Sequence, residues 1–153
     1  METIRAMSAK DFAQLRQMSN YDNEHSKSIE SAVNFLANSN TLNHAYVAEI
    51  QDKVVGFVHG MVMMNVFSLQ YLYVIPSKRG AGLGGKLLKT LETGSGYSDF
   101  LVTHHKNLRD YYMKFGYEYE TDPTIGCKGC NALMLKSVIQ PMLNNLANGR
   151  ILK

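Results

Sequence analysis

The chain has 153 residues, enough for one domain with a real core and too few for two independent ones. Hydrophobic residues make up 45% and charged residues 19%, the balance of a soluble globular protein. The formal charge of +3 is small and scattered, which argues against nucleic acid; with no apolar signal core after Met1 and no run of roughly 18 apolar residues, a cytoplasmic protein without a membrane partner is expected.

Thr3 to Met7 alternates as a short first strand does, and Ser8 then reads as an N-cap. Phe12, Leu15 and Met18 fall on one face of a helix ending near Asn20. A polar break, Tyr21-Asp22-Asn23-Glu24-His25, precedes a second helix from about Ser28 to Asn38, with Ile29, Val33 and Leu36 inward. Two strands follow as a hairpin: Ala45 to Ile50, a turn at Gln51-Asp52-Lys53, and Val54 to about Met63. His59 lies among apolar residues and is expected to be a sheet histidine with its hydrogen bonds satisfied.

Leu69 to Ile75 is rich in β-branched and aromatic residues, as a buried strand should be, and Pro76 ends its ladder. Arg79-Gly80-Ala81-Gly82-Leu83-Gly84-Gly85 comes next, then a helix to Glu92 with Leu83, Leu87, Leu88 and Leu91 on one face and Lys86, Lys89 and Glu92 on the other. Strand, glycine loop and helix together aim backbone N–H groups and the positive end of a helix dipole at one spot, which suits a phosphate. The Gly-Lys-Ser/Thr of nucleotide hydrolases does not follow the glycines, and the unit lies mid-chain, unlike the usual dinucleotide fingerprint.

Asp99 to Thr103 reads as the next strand, and His104 to Tyr117 as a short helix closed by Gly116. Tyr117 to Glu120 and Asn131 to Leu135 supply two more strands. Cys127 and Cys130, in the loop between them, offer only two ligands and read as reduced cysteines rather than a metal site. Val138, Ile139, Met142, Leu143 and Leu146 suggest an added amphipathic helix, a cap on the core or a contact with a second subunit, so that monomer and homodimer both stay open.

Arg79-x-x-Gly82-x-Gly84, directly after Tyr71 to Pro76, resembles the R/Q-x-x-G-x-G/A motif of the GNAT acyl-CoA N-acyltransferases. Tyr112-Met113-Lys114-Phe115-Gly116-Tyr117 resembles the family's second signature, Y-x-K-x-G-F/Y. The asparagine that the family places ahead of this signature is missing: His105 holds its position, and Asn107 lies two residues nearer the glycine. The resemblance implies a mixed α+β GNAT fold over residues 1–136, a central twisted sheet of about seven strands flanked by about four helices, with 137–153 as a helical extension.

It also implies transfer of an acetyl group from acetyl-CoA to a primary amine, on a small molecule or a protein, by direct attack through a tetrahedral intermediate. The family's pyrophosphate loop maps to Arg79, Gly80, Ala81, Gly82, Leu83, Gly84 and Gly85, and its pantetheine-binding strand to Leu72, Tyr73 and Val74, with Asn107 standing in for the missing asparagine. Tyr112, four residues before Gly116, takes the place of the general acid. A phenol of reference pKa about 10 holds its proton at neutral pH yet can give it to a thiolate. No carboxylate occurs between Asn65 and Ile75, where these enzymes often carry a base, which leaves Glu24, His104 and His105 acting through water. The loop between the first two helices commonly overhangs the acceptor site in this family, so Tyr21, Asp22 and Glu24 are candidates to meet a cationic amine. The competing reading is a non-catalytic acyl-CoA-binding module that kept the fold and lost the base.

Overall fold

The computed structural model describes residues 1–39, 42–63, 66–97, 99–103, 109–119 and 133–137. The elements run β1 (Glu2–Ala6), a 3-10 turn (Ala9–Asp11), α1 (Phe12–Met18), α2 (Ser26–Ala37), β2 (Ala45–Ile50), β3 (Lys53–Met63), β4 (Val66–Val74), a 3-10 turn (Pro76–Lys78), α3 (Leu83–Ser95), β5 (Asp99–Thr103), α4 (Arg109–Met113), β6 (Glu118–Tyr119) and β7 (Leu133–Ser137). Cys127, Cys130 and the expected terminal helix lie outside the described residues. Among the described residues no helix is long and apolar enough to cross a membrane. The chain divides into two compact units, residues 1–60 with 71–91, and residues 61–70 with those after Leu91, so that β4 contributes to both.

In the first unit the strands lie in the order β1, β2, β3, β4. Gln51 and Asp52 both have positive φ, 52° and 64°, the backbone that a two-residue hairpin turn demands, and they join the antiparallel strands β2 and β3 across the pair Ile50 and Lys53. One side of this sheet is covered by α1 and α2, whose Leu15, Met18, Ile29, Ala32, Val33 and Leu36 form a buried cluster with Val47, Val54, Phe57 and Tyr73. Full burial of a leucine or valine contributes about 1.5–3 kcal/mol, so this packing anchors both helices and with them the loop that joins them. Arg5 adds a polar clamp: its guanidinium holds Asp11 through two bonds of 2.9 and 2.7 Å and Glu49 at 2.7 Å.

Leu87 of α3 packs at Gly56, in the middle of β3. A Cβ there would lie 2.8 Å from the Tyr73 carbonyl oxygen and 3.2 Å from Leu87 Cδ1 and Val74 Cγ2. Gly56 is thus the residue that lets helix and neighbouring strand close on β3.

The second unit orders its strands β4, β5, β7, β6. β4 and β5 run parallel, paired at Phe67 with Phe100 and Ser68 with Leu101, and β7 is antiparallel to both β5 and β6. Glu92 departs from the sequence expectation of a polar outer face. It is buried and accepts a 2.8 Å hydrogen bond from the Tyr117 hydroxyl. α4 ends as expected of a glycine stop: Gly116 has φ 92°, its N–H reaches the Met113 carbonyl, and the Tyr117 N–H reaches that of Tyr112.

Candidate active site

β4 delivers the chain through the Pro76–Lys78 turn into the glycine loop, and α3 starts at Leu83. Gly80 and Gly82 have φ of 90° and 84°, and a Cβ on either would meet nothing within 4 Å. These glycines therefore serve backbone shape beside open space rather than tight packing. The Lys86 N–H bonds back to the Gly82 carbonyl, closing the first helical turn. The N–H groups of Leu83, Gly84 and Gly85 come before that bond and belong to the set a helix cannot satisfy internally. Lys86 is turned aside, its ammonium 2.6 Å from Glu2. Any anion held at this loop is accordingly met by backbone donors and the helix dipole.

Arg79 folds back onto the strand it follows. Its Nε donates to the Val74 carbonyl at 2.8 Å, its Nη2 to Asp22 Oδ2 at 3.0 Å, and its guanidinium carbon sits 5.3 Å from the centre of the Tyr73 ring. Asp22 is the hub. The same Oδ2 accepts the Tyr73 hydroxyl at 2.8 Å and His25 Nδ1 at 2.9 Å, while Oδ1 accepts the His25 backbone N–H at 3.3 Å. Burial by itself pushes the Asp22 carboxyl up, but the hydrogen bonds from Tyr73 and His25 and the charge of His25 outweigh it and hold the group at about 2. The Tyr73 phenol moves the other way, pushed up to about 12 by burial and by the carboxylate it bonds. Asp22 stays ionised and Tyr73 stays protonated, so this contact is a charge-assisted hydrogen bond.

Of the residues expected to meet an amine, Tyr21 and Glu24 are exposed, whereas Asp22 is turned inward onto the protein's own cation. Glu24, Asp22 and His25 lie close, with a carboxylate oxygen or ring nitrogen of each within 4.8 Å of the others. His59 is buried, and among the described residues its Nδ1 has no partner, contrary to the expectation of a satisfied histidine. The ring stacks on Tyr71 and leans on Phe35, and burial, with His44 nearby, pulls it down to about 4, so it is neutral at pH 7.

In the second unit Tyr112 is buried, with its ring set edge-on to Tyr111 and Tyr117, and burial raises its phenol well above the ordinary value. Tyr111 is only partly buried and packs on Phe115. His104, His105 and Asn107 lie outside the described residues.

A sequence model of the acetyltransferase (GNAT) domain matches residues 41–119, just over half of the chain. The protein belongs to the GNAT family. Among solved structures this GNAT chain is similar to the PaiA N-acetyltransferase of Thermoplasma acidophilum, determined in complex with coenzyme A, at 19% identity and TM-score 0.68, covering 90% of this chain and 99% of that one. A GNAT-family protein from Desulfovibrio desulfuricans superposes at TM-score 0.71 and 14% identity, with 90% and 99% coverage. The N-acetylglutamate synthase of Neisseria gonorrhoeae, complexed with coenzyme A and N-acetyl-glutamate, matches at TM-score 0.68 and 13% identity over 90% of this chain but only 35% of its own. No curated protein sequence matches the chain.

Proposed function

We propose that the protein transfers an acetyl group from acetyl-CoA to a primary amine, on a small molecule or a protein, by direct attack of the amine. The observation that carries this reading is the loop between β4 and α3, where two positive-φ glycines open onto free space ahead of a helix whose first N–H groups need an acceptor. Residues Arg79 to Gly85 would hold the pyrophosphate, and the backbone of Leu72, Tyr73 and Val74 would hold the pantetheine arm as an added strand would be held. Acetyl-CoA, when bound, supplies an activated thioester carbonyl and a thiolate leaving group. Tyr112 acts as general acid: its phenol holds its proton at neutral pH and would give it to the departing sulfur, taking another back from solvent. Asn107 takes the place of the family's cofactor-binding asparagine, and the domain spans residues 1–136.

The reading is tested by thiol release from acetyl-CoA in the presence of alkylamines, polyamines, aminoglycosides and peptide N-termini, with the acetylated product identified by mass. Amine-dependent release is expected. Tight binding of acetyl-CoA with no release for any acceptor would identify a binding module instead.

A further inference from the structure

We infer that His25 is the general base that takes the proton of the acceptor amine, and that Asp22 and Tyr73 are its positioning residues; the inference rests on the acetyltransferase reading above. Asp22 decides which ring nitrogen of His25 carries the hydrogen. Its Oδ2 already receives a hydroxyl hydrogen from Tyr73 and an N–H from Arg79, and an ionised carboxylate can only accept. The 2.9 Å contact with His25 Nδ1 therefore requires that nitrogen to carry the hydrogen. In the neutral ring the lone pair then sits on Nε2, which among the described residues has no hydrogen-bond partner. This is the arrangement by which a buried carboxylate fixes the tautomer of a catalytic imidazole and steadies the imidazolium that forms.

The position of His25 is fixed from both sides. It starts α2, with its carbonyl accepting the Ile29 N–H at 2.9 Å, so the helix core anchors its backbone. Its side chain is two-fifths exposed, and its ring centre lies 5.8 Å from that of Tyr73, in the middle of the β4 segment assigned to the cofactor. The charged or titratable groups facing it are Asp22 and Glu24 from its own loop, Tyr73 from β4 and, through Asp22, Arg79 from the glycine loop.

In the step proposed, Nε2 accepts one proton from the acceptor ammonium. The freed nitrogen bonds to the acetyl carbonyl carbon as the carbon–sulfur bond breaks. Its second proton passes to the departing thiolate, by way of Tyr112 or water, and the imidazolium gives its proton to solvent. One ammonium and one thioester thus become one amide, one thiol and one released proton.

Two measurements test this. Long-range proton–nitrogen NMR of the wild-type protein, with the His25 signal assigned by its loss in His25→Gln, should show the neutral ring protonated at Nδ1, and Asp22→Asn should abolish that preference. A neutral His25 protonated at Nε2 overturns the proposal with no variant needed. In kinetics, His25→Gln should lose about 10²-fold in kcat/KM at pH 7, the usual worth of a positioned base. It should keep acetyl-CoA affinity, and it should regain rate as rising pH deprotonates the amine without help. Asp22→Asn should show a smaller loss and a shifted pH profile. Full activity of His25→Gln at pH 7 overturns the base while leaving the acetyltransferase intact. Failure of the wild type to acetylate any amine overturns both.

Discussion

Gly56→Ala adds one methyl group at a crowded point of β3, and the structure says what it must displace. The new carbon would stand 2.8 Å from the carbonyl oxygen of Tyr73, closer than real Cβ atoms approach, with Leu87 and Val74 at 3.2 Å behind it. Leu87 can turn its end away, but the carbonyl belongs to the backbone of β4 and cannot. Overpacking of this kind costs about 1–3 kcal/mol. Replacing a strand glycine by alanine returns roughly 0.5–1 kcal/mol through the unfolded chain. With a backbone carbonyl in the way the cost lies toward the upper end, about 2–3 kcal/mol, so the net loss is about 1–2.5 kcal/mol, which in a chain of this size lowers Tm by about 2–10 °C. Because the displaced carbonyl lies between Leu72 and Val74, acetyl-CoA affinity should fall with stability. Calorimetric melting and acetyl-CoA titration of the same preparation check both. A Tm unchanged or raised would mean that β4 yields freely at Tyr73 and that the close packing of β3, β4 and α3 is not as described.

Tyr112→Phe keeps the buried ring and removes only the hydroxyl, so fold and acetyl-CoA affinity should hold while turnover falls about 10²-fold or more, with Tyr111→Phe retaining most activity; reversed behaviour would make Tyr111 the acid. Asp22 governs acid stability: its folded pKa of about 2 lies below the ordinary carboxylate value, so its stabilisation is complete above about pH 4 and is lost as pH falls through 2. Urea midpoints of wild type and Asp22→Asn should therefore stand apart at pH 6 and converge between about pH 4 and 2, and a constant gap across that range would show that the carboxylate charge contributes nothing.

Local pattern carried most of the fold. The alternation of Ala45 to Ile50, the turn at Gln51 and Asp52 and the leucines of α3 each encode their element within a few residues, because strand and helix periodicity are local properties. The glycine loop was legible for the same reason, since four glycines in six residues answer to backbone geometry alone. The hub at Asp22 was not. Its partners Tyr73 and Arg79 lie 51 and 57 residues away, and nothing in Tyr21-Asp22-Asn23-Glu24-His25 distinguishes the buried carboxylate from its solvated neighbours. The one local signal was an Asp three residues ahead of a His at a helix start, where both carboxylate oxygens can turn back onto the same residue. Glu92 was misplaced for a related reason: its helical face reads as polar, and the hydrogen bond from the distant Tyr117 hydroxyl that helps make its burial tolerable is not a local signal.

Calorimetric titration with acetyl-CoA tests the central claim most directly, using two glycine variants matched for backbone strain. Gly82, at the start of α3, and Gly96, just past its end, have similar positive φ, 84° and 78°, and open space around them, but only Gly82 lies in the loop assigned to the pyrophosphate. The wild type should bind in the low micromolar range or tighter. Gly96→Val should bind as the wild type does, and Gly82→Val should lose binding. No binding by the wild type, or equal binding by all three proteins, would contradict the account.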